Sequence, residues 1–141
     1  MTKQLGKILA LFLFAFTALA HAEADAEDPA KYTGKVENRK LVCMLQDSMQ
    51  ARDGLEHTYN GKTYYLCCGG CVTGFEKDAK RYSHATDPVN GNSVDKAEAP
   101  IFAYQGRAYF FSSTDTLGAF AENPAKYLDG AAASGAAPAS P

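Results

Sequence analysis

The chain has 141 residues, 46% of them hydrophobic, and its 14 Lys and Arg against 16 Asp and Glu give a net charge of −2. This length accommodates one ordinary domain or two very small ones and excludes a large multidomain enzyme. The average apolar content excludes wholesale disorder, and the slightly acidic balance provides no basic surface, so we predict no nucleic-acid partner.

Residues 1–22 have the pattern of a secretory signal peptide. Lys3 and Lys7 precede an apolar run, and the segment closes on Ala-His-Ala at residues 20–22, a small-x-small cleavage pattern. The apolar run is too short for a bilayer-spanning helix, which needs about 20 residues. We therefore predict a periplasmic protein that has no membrane attachment after cleavage. An acidic leader follows at residues 23–38.

Two segments share aromatic and glycine residues at an offset of 45 positions. The pairs are Tyr59 and Tyr104, Gly61 and Gly106, Tyr64 and Tyr109, Phe75 and Phe120, and Tyr82 and Tyr127. Such a repeat indicates two copies of one small unit. We place the first unit at residues 39–84 and the second at residues 85–129. The Ala/Ser/Pro tail at residues 130–141 is predicted to be disordered.

Each unit is predicted to form a β-hairpin followed by a short helix, which makes the fold class α+β. In the first unit, Asn60-Gly61 lies between Thr- and Tyr-rich strands, a pattern typical of a type I′ turn. One helix face is then predicted from the spacing of Cys71, Phe75, Ala79 and Tyr82. In the second unit Pro124 is expected to begin a new helical turn. Units this small need a metal, a disulfide or mutual packing for stability.

All four cysteines lie in the first unit, at Cys43, Cys67, Cys68 and Cys71. They are consistent with two disulfides, a metal site, or one of each. Cys68 and Cys71 have the C-x-x-C spacing that lets two sulfur atoms bind one ion, and the two glycines between them allow the required turn. Cys43 comes from a distant segment, as in zinc-ribbon and treble-clef sites, which take ligands from two loops.

The two units resemble the YHS/TRASH family of small metal-binding domains. The second unit keeps the family skeleton in Asp-Pro-Val at residues 87–89, the Tyr-rich hairpin, and Asn-Pro-Ala-Lys-Tyr-Leu at residues 123–128. It departs from the family at the metal positions, where Asn90, Ser112 and Thr116 replace cysteine.

The first unit keeps the family's cysteines. Cys43 corresponds to the upstream cysteine of the family, and Cys67 and Cys71 correspond to the later pair, while Cys68 is an addition. The resemblance implies a metal site, a zinc-ribbon-like fold and no catalytic activity. We therefore expect Cys43, Cys67 and Cys71 to bind the ion, with Cys68 assisting.

The choice of metal rests on the softness of the ligands. Three or four thiolates suit both Cu(I) and Zn(II). Met44 and Met49 are additional ligand candidates whose thioethers favour copper, and His57 is another. We predict a periplasmic Cu(I) carrier or buffer in copper trafficking or resistance, with zinc as the alternative ion. Its protein partner would be a periplasmic cuproprotein or a metal exporter.

Two other functions are compatible with the same cysteines. Cys68 and Cys71 have the spacing of a thiol–disulfide redox protein, although no βαβ pattern surrounds them and Cys67 would invite scrambling. In an oxidising compartment, two disulfides would instead stabilise a small interaction module, with Cys43 joined to one of the other three cysteines. The sequence leaves both alternatives open.

Overall fold

The structure is a computed structural model that describes residues 28–133, and the predicted signal peptide at residues 1–22 lies outside them. The strands are β1 (Gly34–Lys35), β2 (Val42–Cys43), β3 (Ser48–Met49), β4 (Leu55–Tyr59), β5 (Lys62–Leu66), β6 (His84–Thr86), β7 (Ser93–Asp95), β8 (Ile101–Tyr104) and β9 (Arg107–Phe110). The helices are α1 (Gly69–Lys77), α2 (Ala79–Tyr82), α3 (Thr114–Glu122) and α4 (Pro124–Ala133), and a 3-10 turn spans Arg39–Leu41. Small sheets and short helices confirm the α+β class, while the zinc-ribbon likeness stays a prediction.

Each unit contains a hairpin with a type I′ turn. Strands β4 and β5 pair antiparallel around Asn60 and Gly61, whose φ angles are 49° and 73°. Strands β8 and β9 pair in the same way around Gln105 and Gly106, at 51° and 77°. A type I′ turn requires positive φ at both central residues, which Asn and Gly adopt at little cost. The hairpin predicted from Asn60-Gly61 therefore forms where its residues favour it.

The helical segment after each hairpin is interrupted at an equivalent residue. Asp78, at φ −149°, separates α1 from α2, and Asn123, at φ −154°, separates α3 from α4. The helix start at Pro124 is as predicted. The single helix expected over residues 71–82 was wrong, because Asp78, with φ −149° and ψ 60°, is not helical and ends α1. Its carboxylate accepts a hydrogen bond from the Arg81 amide at 3.3 Å.

The largest sheet joins strands from both units. Its five strands have the order β1-β8-β9-β3-β2. Ser48 of β3 lies opposite Arg107 of β9, and Gly34 of β1 lies opposite Ala103 of β8. The segment predicted only as an acidic leader therefore supplies an edge strand, and the main sheet cannot form from either unit alone.

The core is also shared between the units. One cluster of buried residues combines Val42, Cys43, Met44, Tyr64, Leu66, Cys71 and Phe75 of the first unit with Val94, Ala99, Ile101, Ala108 and Phe110 of the second. A smaller cluster lies within the second unit and contains Phe102, Phe111, Leu117 and Phe120. Mutual packing thus supplies apolar burial that a unit of this size lacks by itself.

Helix α4 reaches into the segment predicted as a disordered tail. The helix continues through residues 130–133, and the rest of the predicted tail, residues 134–141, lies outside the described part of the chain. The run of alanines explains the extension, because alanine has the highest helix propensity. Within residues 28–133, none of the helices has the length and apolar character needed to cross a membrane.

Candidate metal centre

Three cysteine sulfur atoms converge where β5 meets α1. The Sγ atoms of Cys43, Cys67 and Cys71 all lie within 4.8 Å of one another, and those of Cys67 and Cys71 are 3.2 Å apart. Sulfur ligands about 2.3 Å from one tetrahedral zinc ion would be about 3.8 Å apart. The spacing of this thiol triad, Cys43, Cys67 and Cys71, therefore suits the binding of a single ion.

Backbone pairing brings the triad together. Strand β2 ends at Cys43 and lies beside β5, where the Met44 amide donates to the Tyr65 carbonyl oxygen at 2.8 Å. Cys67 directly follows β5, and its amide donates to the Cys43 sulfur at 3.4 Å. Cys71 lies in the first turn of α1. The distant upstream cysteine thus meets the later two because β2 and β5 are neighbours.

The triad extends from the core towards the surface. Cys43 is completely buried and Cys71 is 5% exposed, whereas Cys67 is half-buried. All four cysteines are free thiols in the structure. An ion bound by the triad would therefore be shielded from water on the side of Cys43 and accessible from the side of Cys67.

Burial and nearby backbone amides change the pKa values of the cysteine thiols in opposite directions. Burial raises the pKa of Cys67 and of Cys71 above the ordinary value of a thiol. These two residues therefore keep their protons near neutral pH, so that metal binding must release them. Cys68 differs, because a hydrogen bond from the Cys71 amide lowers the pKa of the Cys68 thiol. Amides at a helix N-terminus favour the thiolate in this way.

Cys68 lies outside the triad, at the N-cap position of α1. Its side chain is exposed, and its sulfur is 3.9 Å from the sulfur of Cys67. With Cys67, it lines a surface cleft of about 280 Å³ whose other walls are Gln50, Ala51 and Arg52. The structure therefore brings three of the four candidate cysteines together and leaves the fourth at the surface beside them.

The three additional ligand candidates occupy different places. Met44 is completely buried in the shared core cluster. Met49 is half-buried on β3 and lines a pocket beside the leader. The ring of His57 packs edge-on against Phe75, with centroids 5.4 Å apart. Among the described His, Cys, Asp and Glu residues, the triad is the group whose ligand atoms converge, and His57 is not part of it.

The second unit fills the equivalent place with hydrogen bonds. Ser112 and Thr116 stand where the first unit has Cys67 and Cys71, and both hydroxyl groups donate to Oδ2 of Asp87 at 2.8 Å. The side chain of Asp87 thus occupies the centre of a polar cluster. Serine and threonine hydroxyls are poor ligands for soft ions, so this place is not a second thiophilic site.

Asp87 is completely buried, and both of its carboxylate oxygens accept hydrogen bonds. Backbone amides of Ser112 and Val89 donate to its two oxygens at 2.7 and 2.8 Å. Burial alone would raise its pKa, but the donated hydrogen bonds outweigh this effect and lower the pKa of the carboxyl group. The Asp-Pro-Val motif does not reveal this role, because Ser112 and Thr116 lie far along the chain from Asp87.

Lys96 ties the second unit to the backbone beside Cys43. It is 3% exposed, and its Nζ atom donates to the Met44 carbonyl oxygen at 2.8 Å and to Asp47 at 2.5 Å. Burial raises the pKa of Asp47 even though Lys96 opposes the rise. The sequence carried no signal for this contact, because buried lysines are rare and are recognised only through their partners.

Comparison with protein families gives a match to part of the chain. Residues 85–131 match the family model of the YHS domain, which confirms the predicted resemblance for the second unit. The thiol triad lies outside the matched residues. Comparison with curated proteins and with solved structures gave no match. The YHS match and the thiol triad together indicate heavy-metal binding, and they leave the identity of the metal undetermined.

Proposed function

We propose that the protein is an exported carrier or buffer that holds one Cu(I) ion on the thiolates of Cys43, Cys67 and Cys71. The observation that carries this proposal is the convergence of the three sulfur atoms within 4.8 Å. Soft ions prefer thiolate ligands, and two of the three thiols are buried in a core that excludes water. The protein has no enzymatic role in this proposal.

The number of thiolates favours copper over zinc. Structural zinc sites almost always have four protein ligands in a closed tetrahedron, whereas the triad has three. Cu(I) is satisfied by three sulfur atoms alone. Zinc is the second candidate, because Cys68 lies 3.9 Å from Cys67 and would become the fourth ligand after a rotation of its side chain.

The signal-peptide pattern at residues 1–22 supports a periplasmic location. Thiols in that oxidising compartment form disulfides unless they are protected, and a bound ion protects them. We interpret the second unit as a copy that has lost its metal ligands and serves as scaffold, since β9 and Lys96 support the backbone beside Cys43. A cuproprotein or a metal exporter would then receive the ion.

An anaerobic competition titration tests the proposal. The reduced mature protein is titrated with Cu(I), then with Zn(II), against chelators of known strength, while the free thiols are counted. We expect one tightly bound Cu(I) that protects three thiols, and much weaker binding of zinc. Cys43→Ser and Cys71→Ser should each weaken Cu(I) binding by more than the about 100-fold typical of a lost outer-sphere contact.

Asn90→Ala is the matched control, because Asn90 stands in the second unit where Cys43 stands in the first. It should bind Cu(I) as tightly as the parent protein. Tight zinc binding that protects all four thiols would assign the protein to zinc instead. If neither ion binds and protein taken from the periplasm has no free thiols, the disulfide-stabilised module replaces the carrier.

A further inference from the structure

The path from the thiol triad to the surface passes Cys67 and Cys68. Cys43 is completely buried and Cys71 nearly so, whereas Cys67 is half-buried and Cys68 is exposed. The cleft of about 280 Å³ opens beside these last two cysteines. An acceptor that approaches the ion from solvent therefore meets Cys68 first and Cys43 last.

We propose that Cys68 is a transfer ligand, which takes the ion from the buried side of the triad and presents it to an acceptor in the cleft. This inference rests on the proposed function. The sulfur atoms of Cys67 and Cys68 are 3.9 Å apart. That separation is close to the about 3.8 Å expected for two sulfur atoms bound to one ion, so Cys67 and Cys68 can share the ion without backbone movement.

Two glycines keep the Cys68 sulfur accessible. A Cβ atom built on Gly69 would meet nothing within 4 Å, and one built on Gly70 would lie 3.8 Å from the sulfur of Cys68. A side chain at position 70 would therefore begin in contact with that sulfur. The backbone between Cys68 and Cys71 thus leaves open space where an incoming ligand must approach.

The transfer step is a ligand exchange without a change in oxidation state. A bond forms between the ion and the Cys68 sulfur while the bond to the Cys43 sulfur breaks. Cys68 gives up its proton and Cys43 takes one up, so the charge of the site is unchanged. The acceptor's ligand atoms then replace the remaining cysteines, whose thiolates regain their protons from solvent.

Parallel measurements of affinity and rate on Cys68→Ser test this role. Bathocuproine disulfonate serves as the Cu(I) acceptor, and its absorbance follows unloading of the full mature chain after rapid mixing. We expect unloading to slow by at least about tenfold while Kd changes by less than about threefold, and loading must then slow equally, because Kd is the ratio of the two rates. Serine is a favoured N-cap residue, so the variant should fold.

Ser113→Ala is the matched control, because Ser113 is the N-cap residue of α3 and holds the position of Cys68 in the second unit. It removes a helix cap without touching a thiol and should leave both rates unchanged. Unchanged unloading from Cys68→Ser would overturn the transfer role. A loss of affinity as large as that of Cys43→Ser would also overturn it, by making Cys68 a holding ligand. Weak Cu(I) binding by the parent protein would instead refute the proposed function itself, before any rate is compared.

Discussion

The hydroxyl group of Thr116 donates to Oδ2 of Asp87 at 2.8 Å, at the position where Cys71 contributes its sulfur to the triad in the first unit. In each unit the start of the helix is therefore joined to a residue that lies before the hairpin, Asp87 in the second unit and Cys43 in the first, but by different chemistry. The second unit uses a buried carboxylate and its donors, which are present without any ion. In our account a bound metal strengthens the same connection in the first unit, where backbone pairing already brings the three sulfur atoms together, so the stability of the protein should increase on metal binding.

Asp87→Asn should lower the free energy of unfolding by about 2–3 kcal/mol, because hydrogen bonds to a charged acceptor are worth more than neutral ones. The amide that replaces the carboxylate would also present donors to the hydroxyl and amide hydrogens that now point at Oδ1 and Oδ2. Urea denaturation measures the loss. Asp115→Asn, an exposed change in the first turn of α3, is the control. Equal stabilities of the two variants would show that the Asp87 cluster is not needed.

The stability should fall in acid, and Asp87 should account for part of the fall. Burial opposes ionisation of Asp87 and Asp95, but hydrogen bonds outweigh it and lower the pKa of both carboxyl groups. Such groups stabilise the fold above their unfolded pKa of about 3.9 and lose that contribution as the pH falls through the folded value. The raised pKa of Asp47 acts in the opposite direction, since its protonation relieves the cost of burial.

Urea unfolding between about pH 3 and pH 7 measures this dependence. The parent protein should lose stability below about pH 4, and Asp87→Asn should show a shallower loss over the same range because one of the lowered carboxyl groups is gone. Parallel curves for the two proteins would contradict the assignment of a lowered pKa to Asp87.

Lys96→Met should lower the free energy of unfolding by about 3–5 kcal/mol, because it leaves the Asp47 carboxylate without its partner at a largely buried position. The Met44 carbonyl oxygen loses its donor as well. Asp47→Asn combined with Lys96→Met should recover part of the loss, and a double-mutant cycle measures that coupling. Lys62→Met is the control, since Lys62 is much more exposed than Lys96, and its partner Asp95 keeps hydrogen bonds from the Ala97 amide and the Tyr64 hydroxyl. A Lys96→Met variant no less stable than Lys62→Met would refute the buried link.

Gly61→Ala and Gly106→Ala form a matched pair. Both glycines have positive φ, which costs an alanine about 1–2 kcal/mol. A Cβ at Gly61 would meet nothing within 4 Å, but one at Gly106 would lie 2.6 Å from Cα of Ala30. Gly106→Ala should therefore be clearly the more destabilising change in chemical denaturation. Equal losses would mean that the segment around Ala30 does not pack firmly on the β8–β9 turn.

Local structure was predictable from the sequence, whereas the assembly of the units was not. The turn at Asn60-Gly61 and the helix start at Pro124 depend on backbone properties of those residues alone. The helix break at Asp78 has no such marker, since aspartate is compatible with a helix. The pairing of Ser48 with Arg107 joins strands of different units, and nothing in the pattern of either strand specifies its partner.

The candidate site was predictable to a similar degree. The spacing of the cysteines drew attention to Cys68 and Cys71, while the family resemblance pointed to Cys67 and Cys71, and the structure places Cys67 in the triad. That distinction depends on the direction in which each side chain leaves the end of β5. The burial of Lys96 and Asp87 was not predictable, because a charged residue is buried only when distant partners compensate it.

The most direct test of the account is to map which thiols a bound ion protects. The protein loaded with one equivalent of Cu(I) is treated anaerobically with an alkylating reagent, and mass spectrometry of its peptides locates the modified cysteines. The account predicts rapid modification of Cys68 and protection of Cys43, Cys67 and Cys71, with modification of Cys67 when the ion is removed. Modification of Cys67 at the same rate with and without Cu(I), or protection of Cys68 in its place, would contradict a site built on the triad.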